Sequence, residues 1–270
     1  MPRSIWSGAI SFGLVNVPIK LFSAVSQKDV RFHQLDATTK TRIRQKRVSM
    51  ETGEEVPYEN IIKGYEVAPD QYVAIEPEEL DSLDPKTTKS IDIEDFVDLD
   101  QIDPVYYERP YYLVPDAGGA KAYALLVQAM KESGMVAIAR MVLRTKEYLV
   151  ALRAVGDAIV LETLYYHDEV IEPDELEGIP HDVEVADREL KIARQLIESL
   201  ANEFEPERYR DEYRERVLEL IEKKAEGQEI VIQPQTEEPA QVVDLMAALE
   251  ASLAAVKDAK EEKPTKKKRP

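Results

Sequence analysis

The chain has 270 residues, 44% of them hydrophobic, and its 53 carboxylates outnumber 35 lysines and arginines to give a net charge of −18. That is enough apolar material for one large core, or for one domain with appendages. No apolar run approaches the ~20 residues of a membrane span; the lack of cysteine excludes disulfides and thiolate metal sites; and the acidity argues against nucleic-acid binding by the surface at large, though not by a local basic site.

The opening MPRSIWSGAISFGLVNVPIK is apolar but broken by Ser, Gly, Asn and Pro. It predicts a strand pair rather than a secretion signal. VRFHQLD and TRIRQKRV predict further strands, and SIDIEDFVDLD alternates apolar and acidic residues as a half-buried strand does. GAKAYALLVQAMKES predicts a helix stopped by Gly134. MVAIARMVLR, EYLVALRAV and AIVLETLYY then predict three strands of an antiparallel meander, with turns at Thr145 and Lys146 and at Gly156 and Asp157. Many short strands followed by helices predict a β-barrel with a helical segment after it.

From Asp182 the apolar period lengthens. Ala193, Leu196, Ile197, Leu200, Ala201 and Phe204 predict one amphipathic helix. Pro206 suits the first turn of a second, with Tyr209, Tyr213, Val217, Leu220 and Ile221 on one face and Gly227 at its stop. QEIVIQPQTEEP reads as a linker, AQVVDLMAALEASLAAV as an isolated amphipathic helix, and the lysine-rich remainder as a disordered tail. There is no internal repeat.

Most candidate chemistry fails on spacing. His33, His167 and His181 are scattered and form no H-E-x-x-H pair. DIEDFVDLD lacks the glycine and the distal bidentate Glu of a calcium loop. PDAGGAK precedes a helix but lacks the spacing of a phosphate-cradling loop. Paired carboxylates for hydrolysis carry no specificity among 53 acids. A Mg-dependent nuclease or phosphotransferase built on the acidic clusters is the alternative reading, and no carboxylate set with a nearby base singles it out.

What survives is a charge anomaly. Residues 1–50 carry only two acids, Asp29 and Asp36, whereas acids crowd 76–84 and 92–103. Arg42, Arg44, Lys46 and Arg47 fall within six positions with no acid between them. On a strand, Arg42, Arg44 and Lys46 would share one face, with Arg47 on the other. Such a row repels itself unless something negative lies against it. That partner is either the protein's own surplus acids or a duplex backbone, which offers one charge per ~1.7 Å of axis; spacing alone leaves both open.

SIWSGAISFGLVNVPIKLFSA, VRFHQLD, RIRQKRV followed by TGEEV, YYLVPD and FEPERYRDEYRERVLELIEKK together resemble bacterial Ku, the DNA-end-binding protein of non-homologous end joining. The resemblance runs from residue 3 to about 227, and the tail helix near 242–256 resembles the family as well. It implies a mainly β protein with α, in which a Ku-type β-barrel bears a strand-rich DNA-encircling arm and a helical C-terminal arm. It implies a homodimer that threads double-stranded DNA ends through a ring, with no enzymatic reaction and no cofactor. It also implies recruitment of the multidomain ATP-dependent ligase of end joining, and a cytoplasmic, nucleoid-associated protein with no membrane contact.

On this reading residues 1–182 form the barrel core with its DNA-encircling arm and 183–227 the helical arm for dimerisation. Residues 228–238 are a linker, 239–256 a ligase-docking helix and 257–270 a basic disordered tail. The residues expected on DNA are Arg31, Arg42, Arg44, Lys46, Arg47, Lys266, Lys267, Lys268 and Arg269; a solubilising end is the other reading of the tail. Leu245, Met246, Leu249 and Leu253 form the stripe expected to dock the ligase, the other reading being a helix packed on its own barrel. Many members of the family carry C-x-x-C after the basic stretch. Here Ser49 and Thr52 stand in those places, so zinc cannot be held there and the turn must rest on packing and hydrogen bonds.

Overall fold

The computed structural model describes residues 3–83, 89–180, 183–227 and 245–261. The chain divides into two compact units, one of residues 1–28 and 32–175, the other of residues 29–31 and 176–270.

The first unit is built on a closed barrel of seven strands in the order β1-β2-β6-β9-β8-β7-β5. These are β1 (Trp6–Phe12), β2 (Val15–Ser23), β5 (Ser90–Asp98), β6 (Tyr107–Pro115), β7 (Met135–Leu143), β8 (Lys146–Val155) and β9 (Ala158–Leu164). Every pairing is antiparallel except the seam of β1 with β5. Ile10, Ile19, Leu21, Ile91, Leu113, Leu152, Ile159 and Leu161 are fully buried inside. They alternate along their strands, as a wall with one inward face requires. β8 is apolar on both faces: Val150 and Leu152 point into the barrel, while Ala151 joins Val136 and Leu164 in a second cluster outside it. Ile102 and Tyr106, from the connection between β5 and β6, pack over that outer cluster.

Helix α2 (Ala120–Ser133) adds Tyr123, Leu126, Val127 and Met130, one stripe at helical spacing, to the barrel core. It ends where Gly134 takes φ 70°, the left-handed conformation that favours glycine at this position. The buried Tyr123 hydroxyl donates to the Leu113 carbonyl at 2.6 Å and accepts from the Ile159 amide at 2.7 Å, tying the helix to β6 and β9. Tyr123→Phe strands both backbone groups in the core. It should cost roughly 2–4 kcal/mol of unfolding free energy in a denaturant titration with an unchanged slope.

Between β2 and β5 lie a two-stranded sheet of β3 (Lys63–Ala68) and β4 (Gln71–Ile75) and the short helix α1 (Pro77–Leu83). The strand expected over TRIRQKRV does not form a ladder. Only isolated bridges occur there, Leu35 with Arg42 and Val48 with Glu55. Residues 41–48 are exposed throughout, and a strand with no buried face has little to hold its register. The β7–β8 turn falls at Arg144 and Thr145, one residue earlier than expected, because Leu143 pairs with Lys146. The register that buries Val150 and Leu152 fixes the loop at two residues, and Arg144 adopts φ 63° to close it.

The second unit holds α3 (Asp187–Leu200), α4 (Glu212–Ala225) and α5 (Leu245–Glu261). α3 stops at Leu200, short of the expected Phe204, because Ala201 turns extended. Phe204 instead stacks on Tyr209, with ring centroids 5.6 Å apart. Pro206 opens a single 3-10 turn rather than the helix. α4 starts where the Asp211 side chain accepts from the Arg214 amide at 2.9 Å, a stronger start signal than the proline. α5 packs against α3. It continues to Glu261, into the stretch expected to be tail, since Lys257–Glu261 contain no helix breaker before Pro264. The expected linker 228–238 and residues 239–244 of the expected docking helix lie outside the described residues.

Candidate nucleic-acid interface

Two tight loops frame the basic stretch. In the first, Asp36 Oδ1 accepts from the Thr38 amide at 2.7 Å and the Thr39 amide at 3.3 Å, while the Asp36 amide donates to the Thr41 carbonyl at 2.9 Å. This is the local side-chain bonding that favours aspartate in turns, and these amides hold the Asp36 carboxyl below its ordinary range. In the second, Ser49 Oγ accepts from the amides of Glu51 and Thr52 at 3.3 and 3.4 Å, and Thr52 Oγ1 accepts from the Glu54 amide at 3.3 Å. The Ser49 amide reaches the Glu54 carbonyl at 2.9 Å, and the Gly53 amide reaches the Ser49 carbonyl at 2.9 Å. The turn without thiolates is thus closed by two hydroxyls and the backbone.

Between these loops Arg42, Arg44, Lys46 and Arg47 are all exposed. Their own acids do little to neutralise them. Lys46 Nζ meets Glu55 Oε2 at 2.6 Å. The Arg47 guanidinium carbon lies 5.5 Å from the Tyr58 ring centroid, a cation–π distance that holds the side chain without cancelling its charge. Among the described residues no carboxylate comes within ion-pair distance of Arg42, Arg44 or Arg47. Glu55 and Tyr58 were not anticipated from the sequence, because both pairings depend on the register across the Ser49 turn. TGEEV, following the basic run directly, held the signal for Glu55.

The other expected site residues fall elsewhere. Arg31 is exposed and belongs to the second unit, whereas Arg42 and Arg44 belong to the first. Lys266, Lys267, Lys268 and Arg269 lie outside the described residues. Leu245 is 63% exposed, but Met246, Leu249 and Leu253 are half-buried on a helix that packs on α3, and Arg188 of α3 meets Glu250 of α5 at 3.2 Å. The second unit also exposes a run of large apolar side chains, among them Ile197, Leu200, Phe204, Tyr209 and Tyr213, the last at 76%.

Among the described residues no group of three His, Cys, Asp or Glu is arranged to hold a metal ion, and no helix is long and apolar enough to cross a membrane. The site presents fixed positive charge in an extended, solvent-facing segment. That arrangement can contact a polyanion through its phosphates.

Residues 11–192 match the family model for the Ku70/Ku80 beta-barrel domain. The Non-homologous end joining protein Ku of Anaeromyxobacter sp. (strain K) is 53% identical over 258 residues, which cover 95% of this chain and 87% of that protein. The protein of the same name from Heliobacterium modesticaldum is 46% identical over 269 residues, 99% of this chain and 98% of the relative. That of Archaeoglobus fulgidus is 43% identical over 255 residues, 94% of this chain and all of the relative.

Proposed function

The chain belongs to the Ku family, whose members bind DNA ends in non-homologous end joining, and on that footing we propose that it works as a ring-shaped homodimer, a clamp and scaffold rather than a catalyst. The ring takes double-stranded ends without regard to sequence, in the cytoplasm at the nucleoid. The observation that carries this reading is the exposed run of Arg42, Arg44, Lys46 and Arg47, of which only Lys46 has a carboxylate partner among the described residues. On a chain of net charge −18, uncompensated cations concentrated in one extended segment point to an external polyanion. Arg31 and the lysines of the tail would supplement it.

Dimerisation is supported by the second unit. Ile197, Leu200, Phe204, Tyr209 and Tyr213 are large apolar or aromatic side chains left exposed on this unit, which a second copy would cover. Equilibrium sedimentation at micromolar concentration should give about twice the 30.7 kDa chain mass. A clean monomer at that concentration would rule out the ring.

Ligase recruitment is assigned to α5, through Leu245, Met246, Leu249 and Leu253. In the single chain three of these are half-buried, so the ligase must displace α5 from α3 or join the exposed margin at Leu245. The pair Leu245→Asp and Leu249→Asp should reduce ligase stimulation to background while end binding persists. Undiminished stimulation would remove α5 from this role.

A further inference from the structure

The barrel is closed by a short seam. β1 and β5 share only three pairs, Ala9 with Ser90, Ile10 with Ile91 and Ser11 with Asp92. β1 then turns back into β2, with Phe12 paired to Val15. β5 runs on to Asp98, held on one side by β7 through Asp95, Phe96, Val97 and Asp98. Along Ile93–Val97 the side facing away from β7 has no strand beside it among the described residues; at Asp98 the amide donates to Gln101 Oε1 at 3.2 Å, which ends the open edge. An open strand edge is a row of unmet backbone donors and acceptors, and proteins usually cover or blunt it.

Apolar side chains gather beside this edge. Phe12 and Phe96 meet edge-to-face with centroids 5.6 Å apart, yet both stay exposed. Leu14, at the hairpin tip, is fully exposed, and Val15 is half exposed. The charge around them is negative. Asp92, Glu94, Asp95 and Asp98 lie on the strand; Glu94 is the extra residue of a bulge and reaches Arg140 at 3.2 Å. Asp95 has no cation within ion-pair distance among the described residues. Like charges facing each other across a ladder are destabilising, so a second copy of β5 is a poor partner for this edge.

We propose that the β5 edge from Ile93 to Val97, with Phe12 and Leu14, docks an extended, basic segment of another protein as an added strand. Backbone pairing supplies the affinity, lysine or arginine side chains meet the carboxylates, and one apolar side chain seats on the phenylalanines. The protein's own basic tail is a poor occupant: EEKPTKKKRP has no apolar anchor, and its prolines cannot donate to a ladder. This surface is independent of the DNA reading and is tested without DNA.

The probe is a fluorescein-labelled nonapeptide alternating Lys with Val, titrated by anisotropy against the full chain at physiological salt. Its comparators are the same peptide N-methylated at alternate residues and an analogue with Glu for Lys. N-methylation keeps charge and side chains but removes two or three ladder bonds, so binding should weaken by about tenfold to a hundredfold. Asp95→Lys and Leu14→Ser, both at exposed positions, should each weaken the basic peptide, and Asp95→Lys should improve the Glu analogue. The peptide should also slow amide exchange along 93–97. Equal binding of the N-methylated peptide, indifference to both substitutions, or unchanged exchange in that segment would overturn the proposal. So would tighter binding when Lys266, Lys267 and Lys268 are replaced by Ser, since the tail would then already occupy the edge.

Discussion

Replacing Arg42, Arg44 and Lys46 together with alanine should weaken duplex binding by about a hundredfold near 0.15 M salt, and should lower the log–log salt slope by roughly one for each phosphate that is no longer neutralised. The effect should be the same on unrelated sequences, because phosphate contacts carry no base information. The three residues should not contribute equally. Lys46 already meets Glu55 at 2.6 Å, so part of its charge is satisfied within the protein, whereas Arg42 and Arg44 have no carboxylate to give up among the described residues. Glu55→Gln supplies a test of opposite sign: it frees Lys46 and should tighten binding and steepen the slope. All four residues are exposed, so the variants should melt close to the parent protein. Unchanged affinity in the folded triple variant would leave these cations as solubilising surface only.

Linear duplex should bind, and a covalently closed circle of the same sequence should compete poorly. Line and circle offer the same phosphates, so electrostatics alone cannot separate them. A closed ring can, because it admits a duplex only at an end. Rings loaded on linear DNA that is then ligated into a circle should survive a salt wash that strips the linear complex. Equal competition by the two forms at physiological salt would mean an open groove, and the ring would be abandoned even if the basic segment were upheld by the first experiment.

The barrel was legible where period and punctuation agreed. Strands β7, β8 and β9 follow one another with two-residue turns, and α2 shows a helical stripe ended by Gly134. Local signals were weaker elsewhere. β3 and β4 flank Pro69 and Asp70, a turn pair, but their side chains are mostly exposed and so carry no clear alternation. α1 has Pro77 at its start and Glu78 and Glu79 in its first turn, a start signal submerged among surrounding acids. The basic stretch reads as a strand because its residues alternate in charge and β-propensity. Propensity without a buried face did not make a ladder, and the segment took its shape from the Asp36 and Ser49 turns instead. Its partners Glu55 and Tyr58 lie across a turn, where pairing is a property of register and not of spacing. For α5 the amphipathic stripe was plain, but no pattern in one strip of sequence says which surface covers it.

The Ser49 turn sets how the frame of the basic segment responds to its chemical surroundings. A loop held by thiolate-bound metal loses its tie when a chelator removes the ion, when acid protonates the ligands, or when peroxide oxidises the sulfurs. Ser49 and Thr52 hydroxyls do none of these things: they neither titrate near neutrality nor climb the sulfur oxidation ladder. Met50 is the oxidisable side chain of this turn; it is fully exposed, and the bonds that close the loop run through its neighbours instead. The basic segment therefore keeps its framing where a chelator removes zinc and where peroxide oxidises thiols.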